Sequence, residues 1–264
     1  MPENLPNISV IFPDKWFEDN DNAEHPLFGM VSNTQASSLI NLQVIDSELG
    51  RLRQLGILHN SSLKEHLQNS TQFMDTFTEI HVALHLATEG LKPEWGKDPP
   101  DIIISELDTD IEVKNLKDPE KLKDSGGKVV ELDDMYRIED RIVKKVLRNL
   151  NANRVNLIVL GVVGVGFDEF EDLFVFSNQY QVNPRTLEVI RHFEGLFSSE
   201  RYDALSAVVM MKDPFERWLN PWRRTEMRPG DAEFRGLLNP RRRRKVPQRI
   251  ARAFNIVDLL ESHN

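Results

Sequence analysis

The chain has 264 residues, is 40% hydrophobic and carries a formal net charge of -9, which suits one moderately large domain with extensions or two small ones. It has no cysteine, which excludes a disulfide framework, a thiolate nucleophile and a cysteine zinc site. No apolar run approaches the roughly 20 residues needed to cross a membrane, and "MPENLPNISVIF" lacks the basic and apolar regions of a signal peptide, so the expectation is a soluble, cytoplasmic protein with no membrane partner. The charge is unevenly spread. Residues 217–264 hold 12 of the 33 Lys and Arg and only 5 of the 42 Asp and Glu, a net +7 that leaves -16 on the first 216. An acidic body with a basic tail is compatible with a tail that touches phosphates.

In chain order, residues 1–35 mix Pro, Asn and Asp with aromatics and read as an irregular lead-in with one short strand at "ISVIF". From Ser37 to Leu55, Leu39, Leu42, Ile45, Leu49, Leu52 and Leu55 recur close to a 3.6 period and predict a helix that Gly56 stops. A second helix is expected from Ser70 or Thr71 to Gly90, with Phe73, Phe77, Ile80, Leu84 and Ala87 as its apolar stripe. Two strands follow in "PPDIIISELDTDIEVKNL", joined through "ELDTD". Their period of two places Asp101 with Ile103 opposite Ile102 and Ile104, and Glu112 with Lys114 opposite Ile111 and Val113.

Next, "KDPEKLKDSGGK" reads as a polar loop, and Asp133 or Asp134 as the cap of a helix running to about Leu150. The run "VNLIVLGVVGV" predicts a strand buried on both faces. "DLFVFS" as a strand, "PRTLEVIRHFEGLF" as a helix and "LSAVVMM" as a strand complete the body. The order gives an α/β fold, a mixed central sheet flanked by helices. After Pro221 the texture turns Arg- and Pro-rich. This sets a boundary near residue 222 and makes the remainder an extension ending in a short amphipathic helix at Ile250–Leu260.

Glu112-Val113-Lys114 is the only acid-x-Lys triplet in the chain, a weak pattern that a half-exposed strand also explains. Its surroundings add weight. Asp101 heads the preceding strand next to Pro100, and a hairpin can bring it near Glu112. Two carboxylates so close repel unless they share a cation. Mg²⁺ suits them, because it prefers hard oxygen ligands and keeps waters that a phosphate can displace. Lys114, facing the same way, can orient a water or offset charge developing on a phosphate.

Together "FTEIHVALHLATEGL", "PPDIII" and "IEVKNL" resemble the PD-(D/E)xK nuclease superfamily, with its glutamate-bearing helix, Pro-Asp at a strand start and (Asp/Glu)-x-Lys on the next strand. The resemblance covers roughly residues 65–215 in layout and about four positions in chemistry. It implies a restriction-endonuclease-like core over 61–222, with a partly helical N-terminal extension (1–60) and an Arg-rich C-terminal one (223–264). It further implies that Asp101, Glu112 and the backbone carbonyl of Val113 bind Mg²⁺ or Mn²⁺. Lys114 would position the nucleophilic water, and Glu79 would hold a metal-bound water or a ligand. The expected function is a metal-dependent nuclease hydrolysing phosphodiester bonds, most simply of DNA, with a homodimer as one possible assembly. The alternative is a catalytically inactive nucleic-acid-binding or assembly module on the same fold.

Other features are weaker. His81 and His85 are four apart, as in a zinc pair, but lack the glutamate of a metalloprotease helix and read as polar-face histidines beside the core. "GVVGVG" has its glycines in the wrong order for a dinucleotide fingerprint, and "DEFED" reads as a solvated loop. Arg241, Arg242, Arg243 and Arg244, with Lys144 and Lys145 on the mid-chain helix, are candidate phosphate contacts. The arginines could equally dock on the acidic body, and the lysines could line a solvated helix face.

Overall fold

The computed structural model describes residues 5–19, 22–32, 36–59, 61–96, 99–116, 144–162, 195, 197–212 and 232–257. The chain forms two units, Met1–Thr88 with Pro214–Asp231, and Glu89–Asp213 with Ala232–Asn264. This division falls after Thr88 rather than near residue 60, and it assigns Ala232–Asn264 to the same unit as the central strands.

The described part of the first unit is helical: α1 (Pro6–Ile11), α2 (Asp14–Glu18), α3 (Pro26–Ser32), α4 (Ala36–Gln54), α5 (Ser61–Gln68) and α6 (Phe73–Thr88). The segment expected as a strand at "ISVIF" is helix α1. Pro6 sits in its first turn, and the Asp46 carboxylate of α4 accepts hydrogen bonds from the Asn7 and Ile8 N–H groups, both at 2.8 Å. A local β-prone run therefore becomes helical because a distant carboxylate satisfies its first free donors. In α4 the middle of the expected stripe, Leu42, Ile45, Leu49 and Leu52, is buried, while Leu39 and Leu55 at its ends are exposed. Gly56 and Gly90, beyond α4 and α6, have φ of 75°, the left-handed conformation that glycine supplies cheaply after a helix. In α6, Phe73, Phe77, Ile80 and Leu84 are fully buried. His81 is buried with them, and its Nε2 lies 2.9 Å from both oxygens of the buried Glu48 on α4.

The second unit is built on a mixed sheet. Among the described residues it has seven strands in sequence order: β1 (Glu94–Trp95), β2 (Ile102–Ile104), β3 (Thr109–Leu116), β4 (Val155–Val162), β5 (Ala207–Lys212), β6 (Glu233–Leu238) and β7 (Ile256–Val257). β2 pairs antiparallel with β1 and β3, β3–β4–β5 are parallel, β6 turns antiparallel on β5, and β7 is parallel to β6. Among the described residues it also carries helices α7 (Lys144–Leu147) and α8 (Gln248–Ala253).

The unit is thus α/β with an open mixed sheet. β4 is buried on both faces, as its unbroken apolar run requires, with Leu157, Ile158 and Val159 at zero exposure. The expected C-terminal extension is corrected by β6: "EFRGLL" pairs along all six residues of β5, and Phe234 and Phe254 are buried and in edge-on contact with ring centroids 5.3 Å apart. The helix expected at Ile250–Leu260 is instead α8, ending at Ala253, followed by β7. The loop at 117–128, the start of the helix from Asp133, "DLFVFS", "DEFED" and most of 184–197 lie outside the described residues.

Candidate active site

The β2–β3 hairpin sets the geometry. Ile102 pairs with Ile111, so one residue further out Asp101 stands opposite Glu112. Side chains alternate between faces, and this pairing puts Asp101, Glu112 and Lys114 on one face while Ile102, Ile111 and Val113 enter the core on the other. The link between the strands is a 3-10 turn, Ser105–Leu107, closed by Asp108 at φ 46°. On the approach to Asp101, the Gly96 N–H donates to the Asp101 carbonyl at 2.8 Å. A Cβ on Gly96 would collide with the Pro100 carbonyl, so this close backbone approach requires glycine.

The three charged groups meet. The Lys114 ammonium lies 2.7 Å from Glu112 Oε1 and 3.3 Å from Asp101 Oδ2. Asp101 Oδ2 also accepts the Val113 N–H at 2.7 Å. Both carboxylate side chains are nearly buried, at 9% and 8% exposure, whereas Lys114 is 33% exposed and brings the cluster to solvent. Two carboxylates this deep need a cation beside them, and the ammonium supplies it.

The donor set fits a hard divalent ion. Within a strand the N–H and C=O of one residue point to the same side. Since the Val113 N–H points to Asp101, its carbonyl lies on the same side of β3. Among the described residues no group of three or more His, Cys, Asp or Glu gathers to hold a metal. Two carboxylates and one carbonyl are the partial protein set with which Mg²⁺ is commonly held, the remaining positions going to water and phosphate.

Beside Glu112 lies a small recess lined by Pro100, Asp110, Val146, Leu150 and Asn156 among others. Asn156, 1% exposed, donates from Nδ2 to the carbonyls of Asn151, Arg154 and Ala204, and so pins the start of β4. Its Oδ1 is buried and accepts no hydrogen bond. Burial pushes the Asp110 carboxyl above its ordinary value. The Arg154 guanidinium, whose Nε donates to Asp110 at 2.7 Å, counters this, and the nearby Asp108 adds to the rise.

Glu79 is half-buried on α6, in the helical unit, between the buried Thr78 and Ile80. Lys144 and Lys145 fall at the start of α7, and their side chains are outside the described residues. Of the arginine run, Arg241 docks on the body, pairing with Asp203 at 3.1 Å and Glu200 at 3.7 Å. Arg242 Nη1 donates to the Asn239 carbonyl, and Arg243 and Arg244 are exposed. His81 is committed to Glu48 rather than offered to a metal with His85. A sequence reading passes over Gly96, because the backbone approach that marks it exists only once the strands are paired, and it names Arg235 only as one of several arginines around the Arg241–Lys245 run that could meet phosphates. No family model, no curated protein and no solved structure matches this chain.

Proposed function

We propose that the chain is a metal-dependent nuclease of the PD-(D/E)xK type, with its sheet unit a restriction-endonuclease-like core, acting on DNA. The observation that carries the reading is the convergence of Asp101, Glu112 and Lys114 from two paired strands onto one solvent-reaching point. Asp101, Glu112 and the Val113 carbonyl would hold Mg²⁺ or Mn²⁺. When bound, the ion supplies Lewis-acid stabilisation of charge on the phosphoryl oxygens. Asp101, fixed by the Val113 N–H, keeps its carboxylate aimed at that point. Lys114, a third exposed, is the cation that brings the cluster to solvent. Released from Glu112, its ammonium can donate to an attacking water and offset negative charge on the phosphorane-like transition state. Glu79 joins this scheme on the resemblance alone, as does the pairing of two chains for double-strand cleavage.

The test is incubation with plasmid, linear and single-stranded DNA, with an RNA arm, in Mg²⁺, Mn²⁺ or EDTA. Cleavage should need the metal, and Asp101→Ala, Glu112→Ala and Lys114→Ala should each lower it by at least about a hundredfold while circular dichroism stays native. Lys114→Ala cutting at the wild-type rate would remove its role.

The ion triad also suits a non-catalytic descendant, because the Lys114 ammonium pairs with both carboxylates. Calorimetric titration separates the two readings: the nuclease takes up Mg²⁺, with loss of the heat signal in Glu112→Ala.

A further inference from the structure

The strand registers place a second cation on the face that carries the cluster. Paired residues share a face, and the row through Lys114 runs to Leu160 on β4, Met210 on β5 and Arg235 on β6. Leu160 and Met210 are buried, at 4% and 3% exposure. The row is therefore apolar and buried in its middle, with a cation at each end, three strand spacings or about 14 Å apart. Arg235 is half-buried, and its Nε is buried without a hydrogen-bond partner. No ion pair or hydrogen bond engages its side chain among the described residues. A half-buried guanidinium with no anion is costly to hold, and its planar fork matches a phosphate. The Arg241–Arg244 run, in contrast, follows Leu238, which pairs with Ala207 at the start of β5. It thus lies toward the other end of these strands from Met210 and Arg235, with Arg241 already engaged by acids.

We infer that Arg235 is a phosphate-binding residue, holding the nucleic-acid backbone at a point about four duplex steps of 3.4 Å from the Lys114 cluster. This rests on the nuclease reading and deepens it. Arg235 is a positioning residue, not a catalytic one, and its contact adds affinity without base specificity.

The test is fluorescence anisotropy of a labelled duplex and a labelled single strand over a KCl series in Ca²⁺, comparing wild type, Arg235→Gln, Arg235→Lys and, as a charge-matched control at an exposed position of α8, Arg252→Gln. Arg235→Gln should weaken binding about fivefold to tenfold and lower the slope of log K against log salt by about one, with Arg235→Lys restoring most of the slope. Arg252→Gln should match wild type. In the cleavage assay Arg235→Gln should raise KM and leave kcat in place. If removing the guanidinium head disturbs folding, Arg235→Met keeps the buried stem and is read in the same way.

An unchanged slope in a folded Arg235→Gln or Arg235→Met protein, beside a wild type that binds and cuts, overturns this inference and spares the nuclease. A wild type that binds DNA but never cuts overturns the nuclease and leaves Arg235 to be judged by its slope. A wild type that neither binds nor cuts ends both.

Discussion

Replacing Lys114 by Ala removes the only ammonium within reach of two nearly buried carboxylates among the described residues. Without metal the variant should lose about 1–2 kcal/mol, a figure reduced from the cost of breaking a fully buried pair because Lys114 is partly solvated. Adding Mg²⁺ should then raise its melting temperature more than that of wild type, and differential scanning fluorimetry with and without EDTA checks both. Gly96 carries a second expectation at this scale. Gly96→Ala would push the Pro100 carbonyl and with it Asp101, so cleavage should fall at least about tenfold although residue 96 touches no substrate. Wild-type activity from a folded Gly96→Ala protein would show that the backbone can yield there. Asp101, Glu112 and Lys114 could be read from the sequence, because residue type, spacing and a period of two suffice to put three charges on one face. Gly96 could not, since glycine is common and only the folded approach of Pro100 gives it a task.

Among the elements, α4, α6, β2, β3, β4 and β5 were predictable because each carries its own period or an unbroken apolar run. α1 and β6 were not. The first depends on Asp46, 38 residues from Ile8. The second, with Glu233, Arg235 and Gly236 inside it, has a composition that only pairing with β5 makes a strand. At Gly236 a Cβ would strike Ile256 of β7, so even its glycine answers to a neighbouring strand. The helical unit yields a pH expectation through His25, which holds α3 to α5. Its Nε2–H donates to the Leu67 carbonyl at 2.9 Å and its Nδ1 accepts the Leu27 N–H at 3.1 Å, with the ring against Phe73 and Trp16. Burial lowers its pKa, partly countered by the Leu67 carbonyl. Above pH of about 6.5 the ring is neutral whether folded or not. Below that, the unfolded chain takes up the proton first, so stability falls as pH falls until the folded ring titrates too. Denaturant melts from pH 7.5 to 5 should show this slope, and His25→Phe should flatten it while lowering the plateau.

For the molecule as a whole, no helix among the described residues is long and apolar enough to cross a membrane. Its charge asymmetry is resolved in part by self-docking, since Arg241 spends its charge on Asp203 and Glu200. The composition shift near residue 222 suggested a cut between body and tail, yet β6 lies beyond it and covers β5 along its whole length. A protein ended at residue 222 would leave Ala207–Lys212 with an unsatisfied row of amides and carbonyls on a flat, apolar strand, an open template for a neighbouring copy. Such a truncation should elute from size-exclusion chromatography as soluble aggregate or precipitate on expression, so deleting the arginine-rich tail tests solubility before it can test phosphate binding.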